Sequence, residues 1–229
     1  SDLSRDVEHA NQTLSPIFDK EKEQKRPQQA QLIGEIGNQA MDIARTEGAI
    51  AATKAAKEKM NNVTDADRKA AADKLAKDKP GEVITAEDIN AQIYQTAYNQ
   101  AFSESGYGTG GKVQQGMQAA VAAVQGLAGG DLQAAIAGGA APYLAEQIHR
   151  LAPNEESRII AHAVVAGALA ELQGQSAAAG AAGAATAALG TKAIAEAMFG
   201  TSDFSKMSEE QRQTVSALAT LAGGLAGGL

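Results

Sequence analysis

The sequence predicts an all-α protein, and three observations support this. Apolar residues make up 44% of the chain, but aromatic residues make up only 3%, so alanine supplies most of the apolar count. Alanine is the strongest intrinsic helix former, and the β-branched and aromatic residues that favour strands are sparse. Helix-capping patterns also recur along the chain. We therefore predict a multi-helix bundle, with a charged N-terminal helical segment and a Gly/Ala-rich C-terminal helical bundle.

The composition changes near the middle of the chain. Residues 1–104 contain 32 charged residues and 4 glycines, whereas residues 105–229 contain 15 charged residues and 20 glycines. The Gly/Ser run SESGYGTGG lies at the border and is typical of a flexible connector. We predict two domains, a charged helical segment over 1–104 and a Gly/Ala-rich helical domain over 105–229.

The N-terminal segment begins with a polar lead-in. Over residues 1–27 we expect Pro16 and Pro27 to interrupt any helix, because proline lacks the backbone N–H that a helix needs. A long helix is predicted over 28–60, where isoleucines recur every seven residues and draw one apolar stripe. These isoleucines are Ile36, Ile43 and Ile50. The three glycines of this helix, at about 1 kcal/mol each relative to alanine, suggest kinks.

Two capping patterns place the next helices. Thr64 precedes Asp67 by three residues, and Thr85 precedes Asp88 by the same spacing. Each pair resembles a capping box with aspartate in place of the usual glutamate. We predict helices over 65–78 and 86–102, joined by a turn at Pro80 and Gly81.

We predict at least four further helices in the C-terminal half. Asn154 is a favourable N-cap ahead of two glutamates, and Ser208 with Gln211 forms another capping box. The repeated tail AGGLAGGL is expected to fray or to continue into residues beyond this chain. The predicted spans are 112–127, 131–151, 154–174, a small-residue helix that ends near Phe199, and 209–222.

The stretch AAAGAAGAATAALG, residues 177–190, has almost no side chain larger than a methyl group. It lies in an uncharged run long enough to cross a bilayer, but alanine contributes little to membrane insertion. We predict a buried helix with close helix packing at Gly180, Gly183 and Gly190, since small residues allow backbones to approach. A conditional membrane role, in which the bundle opens onto a bilayer, stays open as an alternative.

The sequence shows no catalytic or metal-binding motif. There is no cysteine, and His149 and His162 lack the spacing of a zinc site, so we expect His149 to face the turn and His162 to lie at the edge of the core. The Gly-rich run before residue 112 lacks the Lys-Ser/Thr ending of a phosphate loop. We therefore predict no enzyme activity, no cofactor and no metal.

Net charge and targeting signals limit the partners and the location that we expect for the chain. The net charge is −7, and the one basic cluster, at 20–26, is interleaved with glutamate, so nucleic acid is not expected as a partner. The N-terminus is polar and lacks an apolar signal core. On this basis the chain is either cytosolic or an internal piece of a longer protein.

Three long stretches resemble a known family. The stretch from SDLSRDVEHANQ to IARTEG is similar to the segment after the filamentous-haemagglutinin repeats in contact-dependent growth inhibition effectors of the CdiA type. The stretches YGTGGKVQQGMQAAV to HRLAP and RIIAHAVVAGALAELQGQ to AEAMFG resemble the pretoxin region of the same effectors. The resemblance covers nearly the whole chain. The family's VENN motif and its variable toxin do not occur in these residues.

The resemblance implies a very large secreted protein on the surface of the producing bacterium. Its partners would be an outer-membrane two-partner secretion transporter and the envelope of the target cell, with transient membrane contact. The function expected from it is a non-catalytic pretoxin module that helps export and deliver a C-terminal toxin. The alternatives are an autonomous helical scaffold that binds a partner, a conditionally membrane-inserting translocation segment and, third, an enzyme that assists its own cleavage near VENN.

Overall fold

The computed structural model describes residues 2–108, 111–127, 141–177 and 184–228. The all-α prediction is confirmed, because this described part consists of helices and connecting turns without a strand. The α-helices are α1 (Asp2–Met60), α2 (Asp65–Asp78), α3 (Ala86–Ser105), α4 (Lys112–Gln125), α5 (Ala141–Leu151), α6 (Glu155–Ala177), α7 (Ala184–Phe199) and α8 (Glu209–Gly228). A 3-10 turn, Phe204–Lys206, precedes α8.

The chain folds into two compact units. One comprises Met41–Gln114 and is called the hairpin unit below; the other comprises Ser1–Ala40 with Gln115–Leu229 and is called the bundle unit. The domain border predicted from composition, between residues 104 and 105, stays a prediction.

In the hairpin unit, α2 and α3 begin where the capping patterns predicted. The Thr64 hydroxyl accepts a hydrogen bond from the Asp67 N–H at 3.1 Å, and the Asp67 carboxylate accepts one from the Thr64 N–H at 2.9 Å. Thr85 and Asp88 repeat the arrangement at 3.1 and 3.0 Å. Both capping boxes are thus confirmed. Helix α3 runs three residues past its predicted end and closes at Gly106, whose φ of 75° is left-handed.

The hairpin unit also contains the C-terminal part of α1. Its buried side chains there are mostly methyl groups, at Ala44, Ala52 and Ala56. A Cβ added at Gly48 would lie 2.9 Å from the Tyr107 ring, so glycine lets that ring pack directly on the backbone. The Lys59 ammonium also lies 2.8 Å from the Asp67 carboxylate, which fixes the start of α2.

Helix α1 corrects two predictions. It is α-helical from Asp2 to Met60, so the expectation that Pro16 and Pro27 interrupt it is wrong. Pro27 is exposed, so water can reach the carbonyl group that loses its helical donor there. The predicted isoleucine stripe is also offset, because Ile43 and Ile50 are 50% and 63% exposed whereas the small residues face inward.

The glycines of α1 within the bundle unit lie at close contacts and do not break the helix. A Cβ at Gly37 would lie 2.7 Å from a methyl group of Val121 in α4. One at Gly34 would lie 2.8 Å from the Gln125 amide, which donates a hydrogen bond to the Ala30 carbonyl at 3.0 Å. The suggested kinks are therefore replaced by a close crossing of α1 and α4.

Helix α6 lies at the centre of the bundle unit and packs against α5, α7 and α8. Asn154 caps it as predicted, since its side-chain oxygen accepts the Ser157 N–H at 2.8 Å. The fully buried side chains of this core include Val164 of α6, Ile194 of α7 and Leu218, Leu221 and Leu225 of α8.

The C-terminal tail differs from its predicted fraying. Helix α8 continues through AGGLAGG to Gly228, although each glycine costs about 1 kcal/mol relative to alanine in a helix. The reason is tertiary packing. Leu225 is fully buried, and Gly224 and Gly228 lie against the Ile36 side chain of α1. The Gln29 amide also donates to the Gly228 carbonyl at 3.3 Å.

Candidate functional site

The strongest candidate site in the described residues surrounds Glu171. This glutamate lies on the inward face of α6, below Val164 and Ala168, and only 7% of it is exposed. The other buried polar residues of the described part, Gln114 and Ser157, carry no charge. A buried carboxylate is costly unless it is paired or protonated, so its presence needs an explanation.

Two glycines from the neighbouring helices make room for this carboxylate. A Cβ at Gly190 of α7 would lie 2.5 Å from Glu171 Oε1, and a Cβ at Gly223 of α8 would lie 3.4 Å from Oε2. An alanine at position 190 would overlap the Glu171 side chain. The carboxylate is therefore held between two helix backbones at a point where only glycine leaves space on the α7 side.

The carboxylate opens into a cavity of about 420 Å³. Hydroxyl and apolar groups share its wall, namely Thr191, Val215, Ser216, Ala219 and Thr220, with Phe204 and Arg212 beside them. The Arg212 Nε donates to the Phe204 carbonyl at 2.8 Å, and the residue is exposed. The cavity thus has a buried negative group inside and a solvated positive group at its edge.

Glu171 has no hydrogen bond or ion pair to another side chain or backbone group among the described residues. Burial raises the pKa of its carboxyl above the ordinary value, because the charged form loses hydration that no group in the described part of the chain replaces. This group can therefore accept a proton or bind a cation more readily than a solvated glutamate can.

The predicted packing residues fall differently around this site. Gly190 contacts Glu171, as described above, whereas Gly180 and Gly183 lie outside the described residues. Close helix packing at these three glycines stays a prediction, which Gly183→Leu would test. Sequence reasoning missed Glu171 itself. The available signal was a single carboxylate within the otherwise uncharged run AHAVVAGALAELQGQS.

The histidines lie apart from this cavity. His149 and His162 are both exposed, on α5 and α6. Among the described residues, no group of three or more His, Asp or Glu side chains is placed to hold a metal ion. No helix within the described ranges combines the length and the apolar character that a membrane span requires.

A comparison with known families finds a match at the C-terminus. Residues 204–229 match a family described as a pre-toxin domain with VENN motif. This stretch includes the 3-10 turn and α8, and so supplies one wall of the Glu171 cavity. No solved structure matches the chain.

Three curated relatives match almost the entire chain. A deoxyribonuclease CdiA of Yersinia pseudotuberculosis serotype O:3 is 57% identical over 98% of this chain and 21% of its own length. A 16S rRNA endonuclease CdiA of Enterobacter cloacae is 52% identical over 99% of this chain and 7% of its own length. A tRNA nuclease CdiA of Escherichia coli (strain STEC_O31) is 47% identical over 100% of this chain and 7% of its own length. The chain therefore spans between 7% and 21% of these relatives.

These names overturn three predictions. The predicted non-catalytic module, the prediction of no enzyme and the exclusion of nucleic acid as a partner are wrong, because these relatives are named nucleases of DNA, 16S rRNA and tRNA. The reason is that net charge and motif spacing describe only these 229 residues. Here those residues make up a small part of each related protein.

The relatives also indicate where the protein is located and which family it belongs to. The predicted secreted location is confirmed at the coarse level of a toxin that the producing bacterium exports. The family match at 204–229 and the relatives named CdiA agree with the resemblance seen in the sequence. The chain therefore corresponds to a segment of the CdiA-type contact-dependent growth inhibition toxins, and its residues 204–229 match their pre-toxin domain.

Proposed function

We propose that this chain works as part of a CdiA-type nuclease toxin, in a region that toxins with different nucleic-acid targets have in common. One observation carries the proposal. The chain is 57%, 52% and 47% identical to relatives named for cleavage of DNA, 16S rRNA and tRNA. The toxin as a whole cleaves nucleic acid, and residues outside this chain choose which nucleic acid it cleaves.

Physical differences between the targets support this division. A protein distinguishes RNA from DNA through the 2′-hydroxyl, the groove shape and unstacked bases, so each target requires its own contacts. A region this similar in a deoxyribonuclease and a tRNA nuclease does not account for both sets of contacts. Its contribution is one that all three toxins share.

We also propose a finer location and a finer organisation. The parent toxin is displayed on the surface of the producing bacterium and delivered towards a target cell. The composition border between 104 and 105 separates the segment after the haemagglutinin repeats from the pretoxin domain. The resemblance of residues 1–48 to the first and of residues 107–153 and 158–200 to the second supports this border.

A chimera tests the proposal. In the natural protein that contains this chain, residues 1–229 are replaced by the matching segment of the tRNA nuclease from strain STEC_O31. The purified parent and chimera are incubated separately with plasmid DNA, tRNA and ribosomes. We expect the parent to cleave one of these substrates and the chimera to cleave the same one.

The reciprocal chimera is the matched control. It keeps residues 1–229 and takes the sequence that follows the matching segment from the tRNA nuclease, so its target should become tRNA. A target that follows residues 1–229 in either chimera would show that this chain selects the substrate. A parent that cleaves none of the three substrates would refute the nuclease assignment.

A further inference from the structure

We propose that the cavity beside Glu171 binds a primary alkylammonium group, the group at the end of a lysine side chain. This inference does not depend on the nuclease assignment, because it rests on the geometry of α6, α7 and α8 alone. The first step is the carboxylate. Glu171 is 7% exposed, opens into the cavity and lacks a partner within the described residues.

The second step is the match between donors and acceptors. An ammonium group has three N–H donors and no acceptor, whereas an ionised carboxylate only accepts. Thr220 lines the same cavity, and its hydroxyl proton is already donated to the Ser216 carbonyl at 3.0 Å. Its oxygen therefore keeps lone pairs that can accept a hydrogen bond from an ammonium N–H. A pairing of this kind replaces the hydration that the Glu171 carboxylate loses on burial.

The third step is the shape of the cavity. Phe204, 37% exposed, and Ala219, partly buried, supply apolar surface to the lining of the cavity. A flexible stem of several methylene groups can lie against such a surface while its charged end reaches a polar group. The cavity therefore favours an ammonium group on an alkyl chain over a compact inorganic cation.

The fourth step concerns Arg212, the cation that lines the cavity. Its Nε donates to the Phe204 carbonyl at 2.8 Å at the exposed edge of the cavity, and within the described ranges Arg212 forms no ion pair with Glu171. Its charge weakens the binding of any cation by repulsion, which screening by water reduces. Removal of this charge should therefore strengthen binding, whereas a cavity built for anions would respond in the opposite way.

The experiment is a titration of the full chain with n-butylammonium chloride, monitored through the amide resonances of Gly190 and Gly223. A second arm uses a short peptide with one central lysine. We expect saturable shifts in at least the peptide arm. Tighter binding of the peptide than of butylammonium identifies a polypeptide as the source of the group, and equal binding identifies a free amine. n-Butanol, which has the stem without the charge, should give no saturation.

Two variants sharpen the result. Glu171→Gln keeps the shape but not the charge, and should lower the affinity at least tenfold, while circular dichroism shows an unchanged helix content. Arg212→Gln should raise the affinity several-fold. Equal affinity in Glu171→Gln, weaker binding in Arg212→Gln, saturation with butanol, or no saturation with either amine would overturn the proposal.

Discussion

The two units of this protein differ in how far local caps and distant contacts account for their helices. In the hairpin unit, α2 and α3 begin at capping boxes whose partners are three residues apart in sequence. In the bundle unit, α6 and α8 also begin at local caps, at Asn154 and Ser208, but contacts between distant residues position the helices against one another, such as Gly37 with Val121 and Gly190 with Glu171. The difference shows why a sequence can locate the start of a capped helix to the residue but not the contacts between distant helices.

The same contrast appears in the carboxylates. In the hairpin unit, the Lys59 ammonium and the Thr64 backbone N–H lower the pKa of Asp67 from 3.8 to about 2. In the bundle unit, burial raises the pKa of Glu171. The folded hairpin unit therefore favours a charged carboxylate, whereas the folded bundle unit favours a neutral one, and acid should affect the two in opposite directions.

The largest expected effect tests the α1–α4 crossing. Gly37→Ala should lower the free energy of unfolding by about 1–3 kcal/mol, because its methyl group would overlap the stiff side chain of Val121. Gly227→Ala is the matched control, since an added Cβ there meets nothing within 4 Å. That control should stabilise α8 by up to about 1 kcal/mol. Urea unfolding followed by circular dichroism measures both variants, and equal behaviour would refute the close crossing.

The next effect tests the capping boxes. Thr64→Ala and Thr85→Ala should each cost about 1 kcal/mol of unfolding free energy, because each leaves a helix N-terminal N–H without its side-chain acceptor. Thr46→Ala is a suitable control, since Thr46 is exposed within α1 and donates only to the Asp42 carbonyl. The control should change the stability by less than about 0.5 kcal/mol. Equal losses in all three variants would remove the caps as the explanation.

A smaller effect concerns pH and the bundle unit. Because the folded state raises the pKa of Glu171, its stabilising contribution is fully present below the unfolded pKa and is lost as the pH rises through the folded pKa. Arg212 is the charged group that shares the cavity, and it opposes this loss. Glu171→Gln should remove this pH dependence and stabilise the chain at neutral pH. Unfolding midpoints from pH 4 to pH 8 test this, and parallel curves would contradict it.

The smallest effect has the opposite sign and lies in the hairpin unit. The stabilising contribution of Asp67 is present above pH 3.8 and is lost as the pH falls towards about 2. Asp67 is solvent-accessible, so water and salt reduce its contribution. Asp67→Asn should flatten the acid side of the unfolding profile, and added salt should do the same in the wild type. A wild-type profile without a salt effect below pH 4 would speak against the ion pair with Lys59.

Particular residues show how far the sequence could lead. Thr64, Thr85 and Asn154 were identified correctly because a cap and its partner lie within one turn. Gly37 and Gly48 were read as kinks because the side chains they contact, Val121 and Tyr107, lie 84 and 59 residues away. Helix α8 was ended too early for the same reason, since Ile36 holds its glycines in place.

The candidate site was harder to predict than the fold. Glu171 looks like an ordinary solvated glutamate until α7 and α8 are placed around it. The assignment to nuclease toxins was beyond these residues altogether, because it comes from proteins of which this chain is a small fraction. Local spacing therefore predicted helix starts, while function depended on distant parts of the chain or of the parent protein.

The contact between α1 and α8 also affects the order in which the protein can fold. Gln29 and Ile36 of α1 contact Gly224 and Gly228, almost 200 positions later in the chain. When the chain emerges with its N-terminus first, from a ribosome or through a narrow channel, the surface of α1 that contacts α8 is exposed long before α8 emerges. The hairpin unit ends at residue 114, so all of its residues have emerged before residue 115 and those that follow it. The contacts of α1 with Gly224 and Gly228 in the bundle unit can form only after these residues have emerged, late in the described part of the chain.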